Sequence, residues 1–92
     1  IIHSTEALGV YGAVDCGGYV GNFMLAAQAL GHGTIPQAAL AFHSAFIRKY
    51  FDLADDRRVV CGISFGFADH GHKVNSYRTS RASVADTVTF VE

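Results

Sequence analysis

Charge is scarce in this chain. Seven Lys and Arg and eight Asp and Glu make up only 16% of its 92 residues, where an ordinary globular chain carries about 25%. Half of the residues are apolar. A domain of this size has a modest core, hiding roughly 60–65% of the surface its unfolded chain exposes, so a bilayer, a partner chain or further polypeptide is expected to cover the rest. Basic charge is equally thin. A net charge of −1 and a pI near 6.6 leave no clustered basic face of the kind nucleic acid needs.

Cysteine is sparse as well. Two residues, Cys16 and Cys61, make no disulfide framework and offer no C-x-x-C or zinc spacing; reduced thiols in a cytoplasmic protein are the simplest reading. No charged n-region or small-residue cleavage site marks a signal peptide, and the first residue is Ile1 rather than Met, as in a fragment or a processed chain. Long hydrophobic runs are missing too. No Asp, Glu, Lys or Arg falls between Asp15 and Arg48, yet Asn22, Gln28, His32, Thr34, Pro36, Gln37 and His43 interrupt that stretch. A membrane helix needs about 20 mostly apolar residues, so no membrane span is expected.

Residues 1–14 read as a loop leading to a helix, with Asp15 as its N-cap, because a carboxylate there satisfies orphan N–H groups and suits the positive helix end. Over residues 16–30, Tyr19, Val20, Phe23, Met24, Ala27 and Leu30 recur at helical spacing. The other face carries Gly17, Gly18, Gly21, Asn22, Ala26 and Ala29. A helix apolar on one side and small on the other is buried all round. Each interior glycine costs about 1 kcal/mol relative to Ala, so the three predict close approach of another backbone, at a central or interface helix.

Gly31-His32-Gly33-Thr34-Ile35-Pro36 reads as a loop, with Pro36 at the first turn of a helix over residues 37–51. Leu40, His43, Phe46, Ile47 and Tyr50 would form that helix's stripe. Residues 52–58 read as a solvated turn. Residues 59–67 predict a strand whose faces differ sharply. Val59, Cys61, Ile63, Phe65 and Phe67 build one face; Val60, Gly62, Ser64, Gly66 and Ala68 leave the other nearly bare, open to a close helix or a flat ligand. A polar loop over 69–77 and a last strand over 84–91 complete the pattern.

Chemistry-bearing groups are few. Arg78-Thr79-Ser80-Arg81 sets two guanidinium forks beside hydroxyls, a combination suited to a phosphate. The turn at residues 33–39 offers free backbone N–H groups to an electron-rich ligand edge. Asp69-His70-Gly71-His72 lacks a third metal ligand and matches no H-E-x-x-H or EF-hand pattern, so no metal is expected. No G-x-G-x-x-G or P-loop occurs. Cys61, on the bulky strand face, is expected to be inert, whereas Cys16, opening a helix, is placed where a thiol pKa falls. No catalytic residue is assigned, because no Ser-His-Asp set can be assembled.

Four segments together resemble the C-terminal half of the flavin-dependent nitroreductase family. Asp15-Cys16-Gly17-Gly18-Tyr19-Val20-Gly21-Asn22-Phe23-Met24-Leu25-Ala26-Ala27 resembles its central helix, with an Asn-x-x-Leu-Ala-Ala core. Ala29-Leu30-Gly31-His32-Gly33-Thr34-Ile35-Pro36 is similar to its Leu-Gly-x-Gly-Thr-x-Pro turn. Val59-Val60-Cys61-Gly62-Ile63-Ser64-Phe65-Gly66-Phe67 resembles its Gly-rich strand, and Asn75-Ser76-Tyr77-Arg78-Thr79-Ser80-Arg81 its Asn-x-x-Arg-Thr-x-Arg ending.

The resemblance implies an α+β, three-layer α-β-α fold of which residues 1–92 are the C-terminal part of a single domain. The N-terminal part, with its Arg-Ser-x-Arg phosphate element, would lie outside the chain. It implies a homodimer with FMN at the interface, and hydride transfer from NADH or NADPH through FMN to nitroaromatic, quinone or similar electron-poor acceptors by a ping-pong cycle. Arg78 and Arg81, with Ser80 beside them, match the family's FMN-phosphate residues. Pro36, Gln37, Ala38 and Ala39 match the turn whose backbone lies against the isoalloxazine ring. The family often has an acidic residue where Ala38 falls, which leaves a backbone N–H contact there. The alternatives are a non-catalytic interaction or nucleotide-binding fragment, and a relative with other flavin chemistry such as reductive dehalogenation. Flavin carries the redox chemistry in this reading, so the protein needs no acid–base pair.

Overall fold

The computed structural model describes residues 1–91. Its β-branched and aromatic run forms the longest strand, β3 (Arg57–Gly66), with β1 (Ile2–Thr5) and β2 (Gly33–Gln37) antiparallel on either side in the order β1-β3-β2. β1 covers the first half of β3 along one edge, from Thr5 opposite Arg57 to Ile2 opposite Cys61. β2 covers the second half along the other edge, from Gln37 opposite Gly62 to Gly33 opposite Gly66. Asp56 fastens the start of β3, accepting from Glu6 N and from Thr5 Oγ1, both at 2.7 Å, and Arg58 pairs with Glu6.

α1 (Gly9–Ala29) has 21 residues and a length of about 31 Å. It lies on one face of the sheet through Gly12, Cys16 and Ala27, with Phe23 edge-on to Phe65 at 5.5 Å between ring centres. Gly12 is there for space, because a Cβ would strike the Ser4 hydroxyl of β1. A 3₁₀ turn, Ala38–His43, covers the opposite face and leads into α2 (Ser44–Tyr50). Leu40 of that turn sits over Gly62, where any Cβ would collide with it, and Ile47 is the buried residue of α2. The bare strand face is thus closely packed at Gly62, whereas a Cβ at Gly66 would meet nothing within 4 Å. Helix, sheet, helix is the three-layer α+β order the resemblance implies.

α1 ends as its sequence asks. Gly31 adopts φ +77°, and the His32 and Gly31 N–H groups donate to Ala27 O and Gln28 O at 2.9 and 3.0 Å, closing a Schellman turn. Its start differs from expectation. Residues 1–14 hold β1, a 3₁₀ turn at Glu6–Leu8 and the first residues of α1; Asp15 is exposed in the middle of the helix and caps nothing. The cause is β1 itself, whose pairing with β3 ends beside Asp56 and leaves the chain to wind from Gly9 onward.

Three other expectations are corrected. The loop predicted at residues 31–36 becomes β2 from Gly33, and Pro36 lies within the strand rather than in a helix turn. β2 is an edge strand, the place where a residue without an N–H is tolerated. The single helix predicted over 37–51 is a 3₁₀ turn followed by the short α2, and Phe46 and Tyr50 of its expected inner stripe are 67% and 72% exposed. The strand predicted at 84–91 is instead a one-turn helix, α3 (Val84–Thr87). Ser83 caps it, its Oγ accepting from Asp86 N at 3.2 Å and donating to Asp86 Oδ2 at 2.7 Å. Ser-x-x-Asp is a capping-box pattern, and it outranks the β-branched composition that suggested a strand.

β3 also breaks its own alternation. Ile2 is opposite Cys61 but His3 is opposite Val59, which leaves Val60 as an extra residue, a β-bulge. Ser4 reaches Gly12, so its partner Arg58, like Ile2's partner Cys61, is on the α1 face. Val59, opposite His3, turns to the other side. The expected single face of Val59, Cys61, Ile63 and Phe65 therefore holds only from Cys61 onward.

Candidate functional site

Two regions bear on the sequence-derived site. The first is the end of β2. Pro36 is opposite Ile63 and Gln37 opposite Gly62, after which the ladder stops and Ala38 opens the 3₁₀ turn. Pro36, Gln37, Ala38 and Ala39 are all exposed. No side chain caps the turn, so its first N–H groups keep the orphan character of a helix start. Two contacts fix its position from the β3 side. Leu40 fills the space that Gly62 leaves, and Ser64 Oγ donates to Gln37 Oε1 at 3.0 Å.

The second region is the loop after β3. Asp69 organises it, accepting from Gly71 N at 2.9 Å through its side chain and from Asn75 Nδ2 at 2.6 Å through its carbonyl. His72 Nδ1 then caps a 3₁₀ turn, Lys73–Ser76, by accepting from Val74 N at 3.2 Å. Arg78 folds back on this loop, donating through Nη1 to Asn75 O at 2.6 Å and Tyr77 O at 2.8 Å. Arg81 donates to Thr79 Oγ1 and, at 3.0 Å, to Ser80 O. Arg78, Ser80 and Arg81 are exposed, and among the described residues neither arginine has a carboxylate partner. Each guanidinium has five donors, so both retain N–H groups for an anion.

A cleft of about 930 Å³ joins this loop to α1 and to the start of β2. Met24 and Leu25 supply apolar wall, and Gln28, His32, His70 and Arg78 supply polar groups. The His32 ring is stacked on Phe67 at 4.6 Å, which holds it at the cleft margin. Of the seven predicted site residues only Arg78 lines this cleft, which meets β2 at Gly33 and Thr34; Pro36, Gln37, Ala38 and Ala39 lie at the strand's opposite end. Sequence reasoning missed Met24, Gln28, Asn75 and Ser64. The spacing of Met24 and Gln28 by four on a helix was a readable signal, whereas the reach of Ser64 to Gln37 depends on the register of β2 against β3.

The thiols lie elsewhere. Cys16 and Cys61 are both free and buried. Burial, then the neighbouring Cys61 and Asp15, pushes the Cys16 thiol above its ordinary value. The expected lowering is corrected: Cys16 sits inside α1 rather than at its positive end. No group of three or more His, Cys, Asp or Glu side chains converges to hold a metal among the described residues, and no helix among them is long and apolar enough to cross a membrane.

Comparison with known proteins bears on the family and the fold. The Nitroreductase family model matches residues 1–67, which takes in all three strands and the turn at 36–39 and stops before Arg78. The 4-nitrobenzoate reductase of Pseudomonas putida is 37% identical over 71 residues, covering 77% of this chain and 31% of that protein. Nitroreductase NfnB of Mycolicibacterium smegmatis is 33% identical over 105 residues, covering 96% of this chain and 44% of that protein. The crystal structure of the FMN-dependent nitroreductase NfnB from Mycobacterium smegmatis in complex with NADPH superposes with a TM-score of 0.88 at 33% identity, over 98% of this chain and 40% of that one. The chain thus spans between 31% and 44% of the length of these curated relatives. Matched in its sheet, its long helix and the turn that leaves β2, the chain belongs to the nitroreductase family.

Proposed function

We propose that this chain is part of an FMN-dependent oxidoreductase that takes hydride from NADH or NADPH and reduces nitroaromatic, quinone or similar electron-poor acceptors in a ping-pong cycle. The observation that carries the reading is the superposition on an FMN-dependent, NADPH-bound nitroreductase over 98% of the chain. The chain's own groups fit the cofactor. At the end of β2 the turn offers uncapped N–H donors on small, exposed residues, suited to a planar, electron-rich edge. In the loop after β3, Arg78 and Arg81 offer guanidinium groups without a carboxylate partner among the described residues, and Ser80 a hydroxyl, suited to a phosphate.

FMN, when bound, supplies the hydride-accepting and hydride-donating chemistry. The protein's share is to hold it. Backbone N–H groups of Ala38 and Ala39 would orient the ring and favour negative charge on it, Pro36 and Gln37 would shape the approach, and Arg78, Ser80 and Arg81 would anchor the phosphate. We read the assembly as a cytoplasmic homodimer in which these residues complete one domain with further polypeptide. Support comes from the two free thiols, from the uncovered glycine face of α1, where Gly17, Gly18 and Gly21 meet nothing within 4 Å, and from the half of each β3 edge that neither β1 nor β2 pairs.

The test is made on the full-length protein. The purified protein should show the two visible absorbance bands of bound FMN and oxidise NADH or NADPH in the presence of 4-nitrobenzoate or a quinone. Initial rates at several acceptor concentrations should give parallel double-reciprocal lines. A colourless protein that consumes no nicotinamide cofactor with any of these acceptors would overturn the proposal.

A further inference from the structure

We infer that Ser64 is a positioning residue for the turn at residues 36–39, acting through the side chain of Gln37. The inference rests on the reading of that turn as the flavin-ring contact. β2 pairs with β3 only as far as Gln37, opposite Gly62. The next peptide, Gln37–Ala38, carries the N–H that would face the ring, and its direction follows from the backbone of Gln37, at φ −127° and ψ 95°. Beyond the ladder, two contacts from β3 hold this residue and the turn that follows it. Leu40 packs on the Cβ-free position of Gly62, and Ser64 Oγ donates to Gln37 Oε1 at 3.0 Å.

The geometry distinguishes Ser64 from a spacer on a bare strand face. Ser64 is opposite Ile35, two residues before Gln37 along β2, so its bond to Gln37 runs diagonally across the pair and braces the last residue of the ladder. With Oε1 engaged, the Gln37 amide keeps both N–H donors for a ligand. Removing the hydroxyl leaves the paired backbone intact but releases the Gln37 side chain. The Ala38 N–H then keeps only the Leu40 contact and the ladder to fix its direction, and an N–H that favours the negatively charged, reduced ring is weakened.

The experiment uses the flavin-loaded full-length protein and reads flavin binding and midpoint potential, with circular dichroism as the folding control. Ser64→Ala should raise the flavin dissociation constant about three- to tenfold, the span of one lost hydrogen bond, and shift the potential downward, while Ser64→Thr keeps both near wild type. Gln37→Leu, which removes the acceptor, should reproduce Ser64→Ala, and the double variant should be no worse than either single one, since both delete the same contact. Wild-type binding and potential in both single variants, or effects that add in the double variant, would overturn the inference while leaving the flavin reading intact. If Ser64→Ala does not fold, an unchanged potential in Gln37→Leu is sufficient to overturn it. A wild-type protein that carries no flavin removes the flavin reading and this inference together.

Discussion

Arg81 extends from an exposed loop and spends its hydrogen bonds on the adjacent Thr79 and Ser80, contacts that a phosphate can replace at little cost. Arg81→Ala should therefore weaken FMN retention by about 1.5–3 kcal/mol, the range for a charge-assisted hydrogen bond, with no loss of helical signal; dialysis followed by flavin fluorescence measures it. Cys16 behaves in the opposite sense. Its folded pKa lies above the ordinary thiol value of 9.0 because burial disfavours the thiolate. The folded state holds that proton more tightly than the unfolded state does. Cys16 thus adds stability at pH values below the ordinary thiol value, and the contribution is lost as pH rises through the folded pKa. Alkylation by iodoacetamide at pH 7 should be much slower in the folded protein than in urea. Faster labelling in the folded state would contradict a buried Cys16.

At the scale of elements, the glycines of α1 divide into two kinds. A Cβ at Gly12 would press on Ser4 and Leu8, whereas Cβ atoms at Gly17, Gly18 and Gly21 would meet nothing in this chain. Gly12→Ala should cost about 1–3 kcal/mol through overpacking against β1, measured by urea unfolding. Gly17→Ala should instead favour the helix by about 0.5–1 kcal/mol and weaken the proposed dimer, seen as a concentration-dependent shift in sedimentation. Unchanged sedimentation would mean that nothing approaches this face closely. The long helix and β3 were legible from the sequence because periodicity over many residues is hard to mistake: the stripe through Phe23 and Ala27, and the run from Cys61 to Phe65. Shorter elements were not. β1 has four residues and is a strand only because β3 lies beside it, and Pro36 reads as a helix start until the strand order shows that β2 is at an edge. The candidate site is uneven in the same way. Residues 36–39 are proposed from a linear motif, but Ser64 acquires meaning only through the register that sets it near Gln37.

The whole molecule is too open for its length. Its radius of gyration is 16.4 Å, where about 12 Å fits a compact chain of this size. Its accessible surface is 7616 Å², where about 5,200 Å² is usual for this mass. Phe42, Phe67, Phe90 and Val91 are each more than three-quarters exposed, while the buried apolar residues are small or few: Cys16, Ala27, Ile47, Val59 and Cys61. The surplus, about 2,400 Å² on one chain, is of the order that obligate partners cover. Produced alone, the 92 residues should aggregate, bind a hydrophobic dye strongly and retain no flavin; a soluble yellow monomer on gel filtration would refute this.

Val60 is the spare residue of β3. Shortening the strand by that one position would let Val59 and Cys61 meet His3 and Ile2 in plain succession, every side chain keeping its present layer. Loss of any other residue between Cys61 and Gly66 would exchange inside for outside along the remainder of the strand. The strand therefore carries a built-in length tolerance, placed where its two antiparallel partners hand over to one another.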